Sequence, residues 1–437
     1  MPRLLPLALA ATAAIPSPAA ADEPATESWA IHGQATFVVQ ANARFRSPYQ
    51  GPNSLDHHSH AKETFDATAY VGVRPWAGAE IWVNPEIDQG FGLSNTLGAA
   101  GFPSGEAYKV GKKYPYWKLP RWFLRQTIDL GGESEKVDAD LNQLAGHQTA
   151  NRLVLTLGKF SVVDVFDTNA LAHDPRSDFL NWAVIDAGTF DYAANAWGYT
   201  YGAAGELYVG RWTMRTGAFD LSDVPNSARL DPSFGQVQFV AEVEERHSIG
   251  GRRGKLKITA FLSRGRMGRF EDAIRLAEET GEPADIAAVR RFRSRAGVSF
   301  NLEQQLSKTV SVFMKGGLAN GNVEPYEFSD IDRTIAAGVS VKGSGWGRKD
   351  DTVGIAAVNN VITRVHQRFL DAGGLGILVG DGKLPHPGPE QIVEAYYDLA
   401  LAKPLHLTLD GQLIRHPAYN RDRGPAPVGA IRLHAEF

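Results

Sequence analysis

Nine residues in the first third of the chain place charged and aromatic side chains at alternate positions of short segments. They are Asp66, Tyr70, Arg74, Glu80, Trp82, Arg121, Phe123, Arg125 and Asp129. Carboxylates and guanidinium groups hydrogen-bond to polar solutes, and aromatic rings cover the apolar faces of such solutes. The set therefore suits weak, non-covalent contacts along a hydrated surface. The alternative is that these charges only pair with one another and keep that surface wet.

Covalent catalysis has no signature in the sequence. The chain contains no G-x-S-x-G elbow, no phosphate-binding loop and no Ser-His-Asp order, which are the patterns that nucleophilic and phosphoryl-transfer enzymes show. Its many carboxylates could be paired as in a glycosidase only with distances that a sequence does not give. We therefore expect no enzyme and no cofactor.

The stretch Asp56-His57-His58-Ser59-His60 contains residue types that ligate metals. However, His57 and His58 are adjacent, and no further Cys or Glu ligand lies at a defined spacing from them. We interpret the stretch as a solvated loop and expect no metal site.

The nine residues lie on segments in which polar and apolar side chains alternate. In segment 63–74, Phe65, Ala67, Ala69, Val71 and Val73 share one face, and Asp66, Thr68, Tyr70 and Arg74 share the other. Successive side chains of a strand point to opposite faces, so such a segment suits a wall between lipid and water. Sixteen segments follow the pattern: 29–40, 63–74, 79–84, 121–130, 151–160, 197–209, 211–219, 234–246, 255–264, 296–304, 309–317, 333–342, 351–359, 391–401, 405–414 and 428–437.

The last segment, VGAIRLHAEF, ends on an aromatic residue, as the closing strand of an outer-membrane barrel commonly does. The connections alternate in length: 307–308 and 402–404 are short, and 85–118, 161–195, 267–295, 360–390 and 415–427 are long. The sequence thus predicts an all-β fold, a transmembrane antiparallel β-barrel of about 16 strands with long loops on one rim. Short helices are predicted within two of these loops, at 178–185, 271–279 and 284–292. A soluble secreted β-protein is the alternative, but it gives no reason for the asymmetry of the connections.

Residues 1–21 have the features of a cleaved secretory signal peptide: one cation, an apolar run and small residues before Asp22. We expect residues 22–437 to form a single barrel domain. The chain has no cysteine and a net charge of −4. A net negative charge argues against a nucleic-acid partner, which favours a basic patch.

Several long stretches of the chain resemble the carbohydrate-selective porins of the OprB type. They are SPYQGPNSL at 47–55, GFGLSNTLGAAGFPSGEAYKVG at 90–111, LPRWFLRQT at 119–127, the run LGKFSVVDVFDTNALAHDPRSDFLNWAVIDAGTFDYAANAWGYTYGAA at 157–204, SDVPN at 222–226, SRGRMG at 263–268, and YNRDRGP ahead of the final RLHAEF. The resemblance implies a sixteen-stranded porin of the Gram-negative outer membrane that passes mono- and small oligosaccharides by passive diffusion. A general, size-limited porin and an outer-membrane barrel hydrolase are the alternatives.

The resemblance also implies partners, namely sugars as permeants and outer-membrane lipid and lipopolysaccharide around the wall. It leaves open whether the barrels form a homo-oligomer. Under it, the nine residues become pore-lining sugar contacts. We hypothesise that Arg121 and Arg125, which flank Phe123 at a period of two, set the constriction.

Acidic residues within 157–204 could line a loop folded into the pore, or serve local turns instead. They are Asp164, Asp167 and Asp174, with Arg176 among them, while Asp178 is interpreted as a helix N-cap. Arginines 290, 291, 293 and 295 form a basic cluster. We interpret the cluster as a solvated face rather than a lipopolysaccharide contact.

Overall fold

Sixteen strands hydrogen-bond edge to edge in a closed antiparallel barrel, in which the last strand pairs with the first. The computed structural model describes residues 26–107 and 110–437. The predicted signal peptide, residues 1–21, lies outside this part of the chain. Each wall strand pairs with its neighbours along the chain, so the barrel is a simple up-and-down ring. The predicted fold class is confirmed.

The wall strands are β1 (Trp29–Asn42), β2 (His60–Val73), β3 (Ala79–Gly90), β4 (Lys112–Asp129), β7 (Arg152–Phe160), β8 (Thr200–Val209), β9 (Trp212–Asp220), β10 (Val237–Ile249), β11 (Arg252–Met267), β12 (Arg291–Gln305), β13 (Val310–Ala319), β14 (Arg333–Lys342), β15 (Thr352–Val361), β16 (Glu390–Ala402), β17 (Leu405–Arg415) and β18 (Ala426–Glu436). A separate hairpin consists of β5 (Ser134–Val137) and β6 (Gly146–Thr149). The helices are α1 (Trp182–Ile185), α2 (Phe270–Thr280) and α3 (Arg364–Asp371). Short 3-10 turns occur at Leu93–Asn95, Val162–Asp164, Ala287–Val289, Gly343–Trp346 and Pro417–Tyr419.

The two faces of the wall differ in polarity as the alternation predicts. On β10, Phe239 and Val243 are exposed on the outside, whereas Gln238, Glu242 and Glu244 are buried inside. On β18, Ile431 and Leu433 are exposed, and Arg432 is buried. The closing pair joins β18 to β1 with Phe37 opposite Leu433. Apolar side chains therefore face hydrocarbon, and hydrogen-bonding side chains face the interior.

The connections define two different rims. Short turns such as 210–211, 250–251 and 403–404 lie at one end of the barrel, which is called here the short-turn rim. The first wall strand begins at this rim and the last wall strand ends there. Long connections such as 161–199, 268–290 and 362–389 lie at the other end, the long-loop rim. In outer-membrane barrels the long loops are extracellular. Among the described residues, none of the helices is long and apolar enough to cross a membrane.

The predicted connection 85–118 is wrong in its bounds, because β3 continues to Gly90 and β4 begins at Lys112. The sequence predicts that this strand ends before Pro85. In the structure the pairing of β3 with β4 shifts register between Asn84 and Glu86, so the proline lies at a bulge. A bulge accommodates a residue that cannot donate a ladder hydrogen bond. Glu86 and Asp88 consequently point into the barrel as strand residues.

Candidate functional site

The connection between β7 and β8, residues 161–199, folds into the barrel and is called here the inner loop. Polar wall side chains hold its backbone in several places. Arg432 donates hydrogen bonds to the carbonyls of Pro175 (2.6 Å) and Asp178 (2.8 Å). Lys315 donates to the carbonyl of Ala172 at 2.9 Å. Because buried wall groups find their partners in this loop, the loop is a fixed part of the interior.

Aromatic contacts also fix the inner loop against the wall. Phe179 packs edge-on against Phe313 and Tyr396, with ring centroids 5.6 and 4.9 Å away. Phe166 packs against Phe219 in the same way at 5.9 Å. Edge-to-face pairs of this kind add stability beyond the apolar area that they bury. The inner loop is therefore packed onto the inside of the wall.

A cavity of about 460 Å³ lies between the inner loop and the wall strands β4 and β7. The wall contributes Arg121, Phe123, Arg125 and Thr156 to its lining. The inner loop contributes charged and aromatic residues that include Asp164, Asp174, Arg176, Trp197 and Tyr199. The volume lies within the range of about 300–1,000 Å³ that is usual for small-molecule sites.

Arg121 projects into this cavity in a fixed orientation. Its Nε and Nη2 donate to the two carboxylate oxygens of Asp164 at 2.8 and 2.7 Å, a bidentate pair. The guanidinium carbon lies 4.8 Å from the centre of the Tyr199 ring. Burial alone would raise the pKa of Asp164, but the neighbouring Arg121 lowers it below its usual value. Bidentate pairing and ring contact together hold the guanidinium plane in place.

A second arginine, Arg176, comes from the inner loop and faces three carboxylates. Its Nη2 lies 3.3 Å from Asp66 and 3.8 Å from Glu86, and its Nε lies 3.4 Å from Glu106. Burial raises the pKa of Glu106 well above its usual range, against the opposing attraction of Arg176. Burial away from water therefore favours a neutral, protonated Glu106. We call this group the Arg176 cluster.

A smaller cavity of about 100 Å³ adjoins the first one and shares Glu106, Arg176 and Tyr199 with it. Lys118 lines the smaller cavity, and its Nζ is 2.8 Å from Asp88 and 3.2 Å from Glu86. The same Nζ lies over the ring of Trp197 at 5.5 Å. The two cavities thus border a common strip of charged and aromatic side chains.

The nine residues singled out from the sequence occupy several different places in the barrel. Arg121, Phe123 and Arg125 line the larger cavity. Asp66 belongs to the Arg176 cluster, and Glu80 joins Arg74 (3.1 Å) to Arg125 (3.5 Å) beside the cavity. Tyr70 and Trp82 are buried in packing, and Asp129 lies at the short-turn rim, where it accepts hydrogen bonds from Thr149.

Trp82 illustrates why inward alternation did not suffice to place a side chain on the cavity surface. Its ring fills the space beside Gly72, where an added Cβ would come within 2.5 Å of the ring. It also stacks on His32 with centroids 6.2 Å apart. The ring is therefore part of the barrel packing, with no exposed surface.

The connection 130–151, which contains β5 and β6, reaches from the short-turn rim towards the larger cavity. Arg125 donates to the carbonyl of Asn142 at 2.7 Å, and Asn84 donates to the Asn142 side chain at 3.0 Å. Arg74 donates to the carbonyl of Ala145 at 3.1 Å. Arg74 and Arg125 thus anchor this connection, in addition to any contact that they make with a permeant.

Two interpretations of charged residues in the loops need correction. Asp178 is not a helix N-cap, because Asn181 caps α1 and accepts from the Ala183 N–H. Asp178 instead accepts hydrogen bonds from the backbone of His173 and Asp174.

The basic cluster is not simply a solvated face. Arg295 is fully buried and lies 2.9 Å from Asp191. Arg290 pairs with Glu324 at 2.8 Å, and Arg293 pairs with Asp272 at 2.7 Å.

The residues that sequence reasoning missed as site residues are Glu86, Asp88, Glu106, Lys118, Trp197 and Tyr199. Polar Glu86 and Asp88 alternate with apolar Ile87, and this pattern could have identified Glu86 and Asp88 as inward-facing strand residues. The others depend on how long loops fold back into the barrel, which periodicity does not report.

A family model described as "Carbohydrate-selective porin, OprB family" matches residues 53–437. The chain matches no curated protein. Among solved structures, it is similar to the high-pH structure of OprB from Pseudomonas putida, with a TM-score of 0.71, 14% identity, and 94% of each chain covered. It is also similar to the outer-membrane channel DcaP of Acinetobacter baumannii, with a TM-score of 0.51 and 9% identity over 94% of this chain and 97% of that one. At these identities the structural likenesses concern the fold alone.

Proposed function

The chain belongs to the OprB family of carbohydrate-selective porins of the outer membrane, and from this premise we propose how it selects its permeants. Mono- and small oligosaccharides diffuse passively along the strip between the inner loop and β4. The narrow part of the path lies between the Arg121–Asp164 pair and the Arg176 cluster.

The observation that carries the proposal is the arrangement of Arg121, Asp164 and Tyr199 on the cavity wall. A guanidinium fork clamped by a carboxylate and lying against an aromatic ring offers hydrogen-bonding edges and an apolar face side by side. A sugar has the matching surfaces, since its hydroxyls need hydrogen bonds and its C–H face packs on a ring.

The pairing of charges keeps sugar binding weak. Arg121 and Arg176 already have carboxylate partners, so a sugar does not supply a missing counter-charge to either of them. A channel must bind its permeant favourably enough to admit it and weakly enough to release it. The strip carries both cations and carboxylates, so an ion of either sign meets a charge of its own sign there, whereas a neutral sugar meets no such repulsion.

Several finer points are part of the same proposal. The protein has no enzymatic activity, since its family and fold are those of channels. Residues 1–21 direct export and are removed, and residues 22–437 form one barrel domain. Outer-membrane lipid and lipopolysaccharide surround the wall. Cross-linking in native membranes measures whether the barrels associate into a homo-oligomer.

Liposome swelling tests the proposal with the purified barrel. Sugars and amino acids matched in size are supplied to the same vesicles. Faster entry of the sugars is expected, because only they match the fork and ring together. Equal entry rates for sugars and amino acids would instead indicate a general, size-limited porin. Hydrolysis of any supplied glycoside or ester by the purified barrel would instead favour an outer-membrane enzyme.

A further inference from the structure

Three histidines and one aspartate come together where the connection 43–59 meets β2 at the long-loop rim. They are Asp56, His57, His58 and His60. The wall fixes the backbone that carries them, because Asn42 donates to the carbonyls of Asp56 (3.0 Å) and His58 (2.8 Å). The Ser94 hydroxyl accepts the Asp56 N–H at 2.9 Å. The cluster is therefore held in place before any ligand arrives.

The potential ligand atoms converge on one point. His58 Nδ1 lies 2.9 Å from one oxygen of Asp56, and His60 Nε2 lies 2.7 Å from the other. One ligand atom from each of these three residues falls within 4.8 Å of the others. His57 Nδ1 lies 4.0 Å from Asp56 and is buried with no hydrogen-bond partner among the described residues.

The donor set has the chemistry that zinc and similar divalent ions prefer. Structural and catalytic zinc sites use imidazole nitrogens and carboxylate oxygens in a tetrahedron, with bonds of about 2.0–2.2 Å. That geometry keeps ligand atoms about 3.4 Å apart, so small side-chain rotations from the present hydrogen bonds create room for an ion.

We propose that Asp56, His58 and His60 bind one zinc-class divalent cation at the outer rim, with His57 as the fourth ligand. The ion ties the connection 43–59 to the start of β2. The cluster faces the extracellular medium, and Asp56, His58 and His60 are partly exposed, so the ion binds from outside. This replaces the interpretation of the stretch as a solvated loop. His57 and His58 are adjacent in the chain, and the fold brings the side chains of Asp56 and His60 close to that of His58.

Zinc titration of the tag-free, full-length barrel in detergent tests the proposal by isothermal calorimetry. One saturable site per chain is expected. The double variant His58→Ala/His60→Ala should weaken zinc binding about 100-fold or more, because it removes two ligands. Loss of only a residue that hydrogen-bonds to a ligand already weakens metal binding about 10–100-fold. His386→Ala is the matched control, because His386 pairs with a single carboxylate, Asp422, at the same rim. It should bind zinc as the parent does.

Heat-modifiable gel mobility establishes that each variant is folded. X-ray absorption of the zinc-loaded parent gives a second answer that needs no variant. Two or three imidazole nitrogens in the first shell support the site, and a shell of oxygen atoms alone overturns it. The proposal also fails if the parent shows no saturable binding, or if the double variant binds zinc as tightly as the parent.

Discussion

Replacing Arg121 and Arg125 together by alanine is expected to widen the narrow part of the path and to weaken sugar binding. Both side chains line the cavity on either side of Phe123. A hydrogen bond to a charged group contributes about 1.5–3 kcal/mol. Both guanidinium groups already have protein partners, Asp164 and the Asn142 carbonyl, so we take the lower value, about 1.5 kcal/mol. That loss corresponds to about a tenfold rise in the dissociation constant of the sugar.

Planar-bilayer recording measures both effects in one preparation. Ion conductance should rise, and the sugar concentration that half-blocks the current should rise about tenfold. Arg229→Ala is the control, because the Arg229 side chain is 84% exposed in a loop at the long-loop rim and does not line the cavity. Traces of the double variant that match those of the parent would remove both arginines from the permeation path.

Three further perturbations test the interior. Arg176→Leu leaves the buried carboxylate of Asp66 without this cation, so the free energy of unfolding should fall by about 3–5 kcal/mol in denaturant titrations. Burial raises the pKa of Glu106, so its carboxyl group ionises only as pH rises. The added negative charge should increase cation selectivity, which reversal potentials measure. Glu106→Gln should abolish that increase. Gly72→Ala should cost about 1–3 kcal/mol by pressing on Trp82, whereas Gly411→Ala, which meets nothing within 4 Å, should leave the thermal midpoint of heat-modifiable mobility unchanged.

The wall of this protein was predictable because alternation is a local property. Segment 333–342 coincides with β14 (Arg333–Lys342), and each of the sixteen segments corresponds to a wall strand. The error at Pro85 arose because a proline inside a strand and a proline that ends one look alike in sequence. Only the shifted register between β3 and β4 separates the two cases.

The interior was much less predictable, since it depends on contacts between residues far apart in the chain. Arg176 and Asp66 are separated by more than a hundred positions and meet only because the inner loop folds back. Inward alternation located Arg121 and Arg125 on the cavity wall, but the same rule applied to Trp82 could not foresee packing against Gly72. The family resemblance supplied the permeant class, which no pattern of strands contains.

Site-specific labelling of neighbouring residues on β7 tests most directly whether sugars pass between the inner loop and the wall. Thr156 lines the cavity, and Leu155 is exposed on the outer face. The chain has no cysteine, so Thr156→Cys and Leu155→Cys each provide a single thiol for a bulky thiol reagent. Modification at 156 should remove most of the sugar flux into liposomes, and modification at 155 should leave it unchanged. Complete modification at 156, verified by mass, with undiminished flux would contradict the account.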